Sequence, residues 1–434
     1  MSTFNNLKIG VAFALAAGVA LVVSSTGIGL QAQQGAPQYR FDPEWPKTLP
    51  NKWKMGGVTG LAVDRNDDVW VHNRPNDLTS IELHAELTPA IADCCTRPPS
   101  MIHISKTGDV LGSFDAPQGH GMDVDSKGFI YLGQNTVRKY DPKTGQIVAS
   151  IARAPEMENG GNAGVPQLPK RVPGQGGAGP VAGFLPDPPG SGPNPEVQAK
   201  QQAARMAFRK KYPPETPMIL GGLEEIRIDE TANEIYVADN YLGGRVLVFD
   251  LNTFAFKRGW GAYGKPLKDI SLDDATRNYT PGGPMAKDFV GHLTLNFSND
   301  GLVYAADRVG NRIHVTDKQG KFLKEFPLAT YTGVGGAPGG VGFSPDKEQR
   351  YLFISDLTNN HIWFLNRADG KVVGQMGNMG DHGGQFFGLH MIAVDTRGTI
   401  YTGEVFAGER VQRFVPANSP RGKVLQQLSK TPLF

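Results

Sequence analysis

The sequence contains very little cysteine. Only two cysteines occur in 434 residues, and they are adjacent, Cys94 and Cys95. They cannot cross-link distant parts of a fold, and a C-C pair lacks the spacing of a zinc pair or of a C-x-x-C-H haem site. In an oxidising compartment the two could form a vicinal disulfide. A local loop clamp is the simpler interpretation, and a redox role is the alternative.

An excess of charge of one sign is also missing. The net charge is +2, charged residues make up 20% of the chain, and no basic stripe or RNA-binding signature occurs. Nucleic acid is therefore not an expected partner.

One apolar run stands near the N-terminus. After Lys8, residues 9–23 read IGVAFALAAGVALVV, which fits the core of a signal peptide and is short for a membrane span. SSTGIGLQA follows, and Ala32 is a candidate cleavage point. We predict a signal peptide over residues 1–32 and a periplasmic or extracellular protein. The alternative is an uncleaved anchor that keeps the protein at a membrane.

A strand–turn–strand pattern recurs six times along the chain. Three clear copies are GHGMDVDSKGFIYLG at 119–133, GHLTLNFSNDGLVYAAD at 291–307 and GLHMIAVDTRGTIYTGE at 388–404. Each unit continues towards further strands, in which polar and apolar residues alternate. Six units of four short antiparallel strands predict an all-β, six-bladed β-propeller over residues 33–420.

The sixth unit stops after its third strand. The segment YRFDPEWP at 39–46 is extended and precedes the first unit. We expect it to supply the missing outer strand, so that the two chain ends close the ring and protect its edges. Residues 421–434 remain as a C-terminal tail.

Two insertions interrupt the repeats. Residues 75–100 carry the cysteine pair, and residues 153–213 separate blades 2 and 3. Between Gly160 and Pro195, ten residues are glycine and nine are proline, so this stretch cannot join regular structure. PEVQAKQQAARMAFRKKY follows and is typical of a short basic helix. The insertion is either a disordered loop or a lid over one propeller face.

Histidines occupy the same place in alternate units. His120, His292 and His390 open the first strands of units two, four and six. In a propeller the first strand of each blade lines the central channel, so these side chains are expected to meet on the axis. Three neutral imidazoles that converge in this way suit Zn²⁺ with an open fourth position. The alternative for each histidine is a hydrogen-bonded structural role.

The turns after the second strands face the same side of the propeller. They carry Arg74 in VWVHNRP, Tyr241 in VADNYLGGR and Arg308 in AADRVGNR. Arginine grips a carboxylate through two hydrogen bonds, and a tyrosine whose pKa falls near positive charge can act as general base or acid. These residues indicate a small substrate that bears a carboxylate. A salt bridge between blades is the alternative for the arginines.

The units resemble NHL repeats, and residues 56 to 415 without the insertions are similar to the peptidyl-α-hydroxyglycine α-amidating lyases. In that family, strand starts of the PHG, PHS and PHD type supply three zinc-bound histidines. They match GHG at His120, GHL at His292 and LHM at His390.

The resemblance extends to three further positions. A DGY-x-N-x-R turn carries the family's catalytic tyrosine and matches DNYLGGR at Tyr241. The two functional arginines lie in an HR turn and in ADREN-GRI, which match HNR at Arg74 and ADRVGNRI at Arg308. Six matching positions in order are far more specific than single NHL repeats.

The resemblance implies a reaction. Zinc would assist the cleavage of a carbinolamide, N–CH(OH)–COO⁻, to an amide and glyoxylate. The metal would polarise the hydroxyl group, Tyr241 would handle its proton, and an arginine would hold the carboxylate. The substrate would be a small carboxylate-bearing molecule or the C-terminus of a peptide.

The sequence departs from that family at several points. Met391 follows His390, where the family has an Asp that helps to bind a structural calcium ion. The family's cysteine pairs beside the tyrosine and the second arginine are absent, and the Gly/Pro-rich insertion has no counterpart there. Nothing in the chain resembles a partner copper monooxygenase that would make the hydroxyglycine.

Two other functions suit a propeller. A non-catalytic NHL propeller would bind a protein or glycan partner through its face loops. A propeller hydrolase of the lactonase type would bind a divalent metal through carboxylates and asparagine, although the histidine triad fits that class poorly. Its candidate ligands are Glu224, Glu225, Asn240 and Asp356.

Overall fold

The chain forms six four-stranded antiparallel sheets, which are the blades of a β-propeller. The computed structural model describes residues 35–155, 195–333, 335–406 and 408–429. The predicted fold class is confirmed. The predicted signal peptide and residues 156–194 of the Gly/Pro-rich insertion lie outside the described residues.

Five blades are built from four consecutive strands each, and within each blade neighbouring strands pair in chain order. Blade 1 holds β2 (Gly57–Val63), β3 (Val69–Arg74), β4 (Met101–Ile104) and β5 (Val110–Phe114). Blade 2 holds β6 (Met122–Val124), β7 (Ile130–Gly133), β8 (Val137–Asp141) and β9 (Gln146–Ser150). Blade 3 holds β10 (Leu223–Asp229), β11 (Glu234–Asp239), β12 (Arg245–Asp250) and β13 (Phe256–Trp260). Blade 4 holds β14 (Leu293–Phe297), β15 (Leu302–Asp307), β16 (Arg312–Asp317) and β17 (Phe322–Pro327). Blade 5 holds β18 (Pro338–Phe343), β19 (Tyr351–Asp356), β20 (His361–Asn366) and β21 (Val372–Met376).

Blade 6 takes strands from both ends of the described chain. Its strands β22 (Leu389–Val394), β23 (Ile400–Glu404) and β24 (Val411–Pro416) are followed on the outside by β1 (Tyr39–Phe41). β1 pairs antiparallel with β24. The predicted closure of the ring by the segment at 39–46 is therefore confirmed.

A helix follows β24 in the segment that was predicted to be a C-terminal tail. This helix, α2 (Pro420–Leu428), begins after Ser419, whose side chain accepts a hydrogen bond from the backbone of Gly422. Serine before a first-turn proline is a strong helix start. Contacts with β1 and β24 hold α2 against the closing strands.

The core consists of apolar layers between neighbouring blades. The two inner strands of each blade are covered on both faces, and for this reason β3, β11 and β19 are almost entirely buried. Met391 illustrates the arrangement, because it is 3% exposed and packs with blade 1 residues such as Val58 and Leu61. The position that is a calcium-binding Asp in the resembled family is therefore a core position here.

The two insertions leave the same end of the propeller. The connection between β3 and β4 carries a disulfide that joins Cys94 and Cys95. Lys54 ties this connection to blade 6, because its amine lies 2.9 Å from the carboxylate of Glu82 and 2.6 Å from that of Glu409. The second insertion ends in the predicted helix, α1 (Pro195–Lys211). No helix among the described residues is both long and apolar enough to cross a membrane.

Candidate metal centre

Three histidines from alternate blades meet at one end of the channel. His120, His292 and His390 each offer a ring nitrogen, and these atoms lie within 4.8 Å of one another. The Nε2 atoms of His120 and His390 are 3.1 Å apart. Two nitrogens bound to one tetrahedral zinc at about 2.0–2.1 Å are about 3.3–3.4 Å apart, so the geometry fits.

Local irregularities of the backbone set the orientation of each of these side chains. His390 lies in a β-bulge, where the pairing of β22 with β23 shifts between Leu389 and Met391. His292 has a φ of 55°, a left-handed conformation that is unusual for a residue with a side chain. Bulges and left-handed residues of this kind concentrate at functional sites.

The two glycines that flank His120 set the orientation of its side chain. A Cβ atom at Gly119 would collide with the carbonyl of Gly133, and Gly121 has a φ of 78° and lies against the backbone of Glu225. Gly121 therefore lets blade 2 approach blade 3 closely at the histidine, and Gly119 leaves room for the end of β7 within blade 2.

Glu224, predicted from the sequence only as a lactonase-type ligand, has a different role in the structure. The Nδ1 atom of His120 contacts the backbone carbonyl of Glu224. The Glu224 carboxylate lies 3.2 Å from Nδ1 of His292, and its other oxygen accepts a 2.5 Å hydrogen bond from the backbone N–H of Leu293. One residue thus orients two of the three imidazoles, as carbonyl and carboxylate groups around metal-binding histidines commonly do.

The histidines are held in the neutral form that a metal requires. Burial lowers the pKa of His120 to about 3 and places those of His292 and His390 well below the usual value. The guanidinium groups of Arg74 and Arg308 lower all three further. His390 also keeps a buried Nδ1 without a hydrogen-bond partner among the described residues. A set of neutral imidazoles suits zinc.

Tyr241 lies directly against His292. Its hydroxyl oxygen is 2.5 Å from Nδ1 and 2.7 Å from Nε2 of that ring. Among the groups of the chain itself, burial and the Glu224 carboxylate raise the pKa of Tyr241 well above 10, and they outweigh the opposing effect of Arg308. The positive charges of Arg308 and Arg74 do lower this pKa, as expected, and the effect of a metal ion on Tyr241 stays a prediction.

The two arginines differ sharply. Arg308 is buried, its Nε has no hydrogen-bond partner, and it forms no ion pair with any residue that the structure describes. Arg74 instead lies 2.7 Å from the carboxylate of Asp77. Neither arginine forms a salt bridge between blades with a described residue, and the guanidinium of Arg308, unlike that of Arg74, has no carboxylate partner there.

Asn240 is a second buried group without partners. Its side chain is 1% exposed, and neither amide atom makes a hydrogen bond of normal geometry with a described residue. The amide still lies close enough to the Glu224 carboxylate to lower the pKa of that group, which burial raises to about 8. A buried amide in this state leaves one acceptor and two donors for a ligand.

Two other candidate ligands of the lactonase type, Glu225 and Asp356, have partners other than the three histidines. Glu225 lies 3.0 Å from the guanidinium of Arg227, and the Asp356 carboxylate accepts from Trp363 at 2.8 Å. Of the described residues, one further group could hold a metal. It comprises Asp64 and Asp68 in the turn between β2 and β3, and His103 on β4.

Comparison with known proteins yields similarity of fold alone. No protein-family model and no curated protein matches the chain. Two solved structures of virginiamycin B lyase from Staphylococcus aureus, one a catalytically inactive variant with quinupristin, have TM-scores of 0.40 at 10% and 11% identity. The matches cover 88% and 87% of this chain and 89% of each of those chains. A Bacteroides thetaiotaomicron protein of unknown function has a TM-score of 0.47 at 15% identity, over 83% of this chain and 70% of its own. Similarities at this level carry no argument about activity.

Proposed function

We propose that the protein is an exported, zinc-dependent propeller lyase. It would cleave the C–N bond of a carbinolamide, or of a related α-hydroxy acid derivative, to give an amide and glyoxylate. The observation that carries the proposal is the meeting of three neutral imidazoles, of which those of His120 and His390 are buried and that of His292 is partly exposed, with the buried guanidinium of Arg308, which pairs with no described carboxylate. Calcium is not part of the proposal, because Met391 offers no oxygen and packs in the core.

Zinc bound to the three histidines would supply a Lewis acid for the substrate hydroxyl. Arg308 would bind the carboxylate with parallel hydrogen bonds. The amide of Asn240 could donate to the same carboxylate and accept from the α-hydroxyl group, which would satisfy both of its orphaned atoms. This match favours an α-hydroxycarboxylate over a plain carboxylate.

The reaction needs one proton to move from oxygen to nitrogen. The substrate O–H bond breaks, a C=O bond forms, the C–N bond breaks, and the nitrogen leaves as an amide. Because the hydroxyl group of Tyr241 lies against His292, the phenol can give a proton to the nitrogen and take the hydroxyl proton in exchange. The tyrosine ends in its starting state.

The first experiment measures metal. The purified protein is expected to bind one zinc, and His120→Ala and His390→Ala are expected to lose most of it while remaining folded. Glyoxylate release from α-hydroxyhippurate is then measured with the zinc-loaded protein and with Tyr241→Phe as control. A folded parent protein that binds no zinc rejects the proposal. Zinc binding without glyoxylate release rejects this reaction.

A second candidate is a binding propeller without catalysis. Exposed apolar side chains on the connections at the histidine end favour it, with Ile81, Ile91, Tyr331 and Met379 all more than half exposed. In that case Tyr331→Ser or Ile81→Ser would abolish capture of a protein or glycan partner, and the histidine variants would retain it.

A further inference from the structure

The turn that presents Tyr241 is held from outside by two buried arginines. It runs from Asn240 to Gly244 between β11 and β12, and one internal bond, from the Gly244 N–H to the Asn240 carbonyl at 2.6 Å, closes it. The four carbonyls of residues 240–243 all accept from guanidinium groups of other segments. A turn in a regular hairpin needs no such support.

Arg209 of α1 provides half of this support. Its side chain is 2% exposed. Its Nε donates to the Leu242 carbonyl at 2.8 Å and its Nη2 to the Tyr241 carbonyl at 3.2 Å. The remaining nitrogen contacts the carboxylate of Asp274. Arg277 serves the other two carbonyls at 3.5 and 3.3 Å.

Apolar contacts keep α1 against the same turn. Phe208, next to Arg209, packs in a buried cluster with Leu220, Leu242 and Ala154. Leu242 belongs to the turn itself. The helix therefore contacts both the backbone carbonyls of the turn and one of its side chains. The segment that follows α1 is fixed as well, because Arg245 donates to the carbonyls of Thr216 and Met218 at 2.9 and 2.6 Å.

We propose that α1 positions the catalytic tyrosine and that Arg209 is the positioning residue that does so. The described end of the insertion is then part of the active site's support. The claim about catalysis rests on the proposed function, since it requires Tyr241 to act in the reaction. The claim about the turn does not. A misplacement of about 1 Å in a reacting group can cost roughly a hundredfold in rate.

The test compares Arg209→Met with the matched control Arg205→Met. Arg205 lies one turn earlier on α1, its side chain is 38% exposed, and among the described residues its one ion-pair partner is Asp274, at 3.9 Å. Hydrogen exchange of the Gly244 amide, zinc content, and the kcat and KM for α-hydroxyhippurate are measured on the full chain. For Arg209→Met we expect exchange at least about tenfold faster, unchanged zinc, kcat lower by roughly tenfold to a hundredfold, and little change in KM. Arg205→Met should match the parent.

Arg209→Lys is the conservative variant. Its ammonium group can donate to only some of the acceptors that the Arg209 guanidinium reaches, so the exchange rate of Gly244 should be intermediate. Unchanged exchange at Gly244 in Arg209→Met overturns the proposal, and so does an equal effect of Arg205→Met. If Arg209→Met does not fold, Arg209→Lys decides by the same criterion. If the parent releases no glyoxylate but exchange rises as expected, the lyase assignment fails and the positioning of the turn stands.

Discussion

Glu224 contacts two of the three candidate metal ligands. Its carbonyl contacts His120, and its carboxylate lies beside His292 and accepts from the backbone next to it. Glu224 is the extra residue of a β-bulge, because the pairing of β10 with β11 shifts between Leu223 and Glu225 and leaves Glu224 without a partner on β11. Glu225 faces Arg227 instead of the histidines.

The two adjacent glutamates allow a matched experiment. Glu224→Gln puts an amide NH₂ in place of one of the two oxygens that contact Nδ1 of His292 and the backbone N–H of Leu293, so the orientation of His292 is disturbed and zinc affinity should fall by roughly tenfold or more. Glu225→Gln changes the same group at a position equally buried but away from the site, and zinc affinity should stay within about twofold. Competition with a chromophoric chelator measures both. Equal affinities in the two variants would show that Glu224 does not support the metal.

The arginines permit a second comparison. Arg308→Met should weaken the binding of hippurate, a carboxylate that lacks the hydroxyl group, to the zinc-loaded protein by roughly thirtyfold, or about 2 kcal/mol. Arg74→Met should have a smaller effect, since Asp77 already occupies that guanidinium. Calorimetry checks both constants.

Arg308→Met should increase the stability of the fold, although it weakens the binding of the carboxylate. A buried, unpaired charge is costly, so Arg308→Met should raise the free energy of unfolding by about 1 kcal/mol. A large loss of stability would mean that Arg308 has a structural partner, and the substrate role would then be withdrawn.

At the scale of elements, the closing strand depends on one carboxylate. Asp42 follows β1 and is fully buried. Its oxygens lie 2.6 Å from the guanidinium groups of Arg413 on β24 and Arg421 on α2. Although burial alone would raise the pKa of Asp42, the hydrogen bonds from the two arginines hold it below its usual value. The carboxylate therefore joins three elements at the ring closure.

This cluster gives a pH-dependent prediction. Because the pKa of Asp42 is lower in the folded state, its contribution is complete above its unfolded pKa of about 4 and is lost as the pH falls through the folded value. Asp42→Asn should lower the free energy of unfolding at pH 7 by about 2–4 kcal/mol. The difference from the parent should shrink as the pH falls below the unfolded value and through the folded one. Urea denaturation at both pH values measures it, and a constant difference would contradict the assignment.

At the scale of the whole molecule, the three histidines of the candidate metal centre come from blades 2, 4 and 6. A ligand that binds only the folded ring stabilises all of it, and a free zinc concentration of 100 times Kd should add about 2.7 kcal/mol to the free energy of unfolding. A chelator should remove this increment, and His292→Ala should not show it. Thermal unfolding with and without zinc provides the measurement. A shift that persists in His292→Ala would place the zinc elsewhere.

The predicted parts of the fold are those that local patterns encode. Strand alternation and turns recur in every unit, and a repeat determines how its copies stack. For this reason the blades, the closing strand at 39–46 and the basic helix after the insertion were all predictable. The equivalence of His120, His292 and His390 was visible in the same way, since equivalent positions in a propeller approach one axis.

The sequence by itself thus determined the propeller and the residues that face its axis. Only the tertiary structure decided which of them act together, because orientation at the channel depends on bulges, on left-handed residues and on neighbours distant in the chain. Glu224 reaches two histidines through a bulge, Arg308 lacks the partner that Arg74 has, and Arg209 reaches the Tyr241 turn from an insertion outside the repeats. Contacts of this kind have no period, and a sequence pattern cannot reveal them.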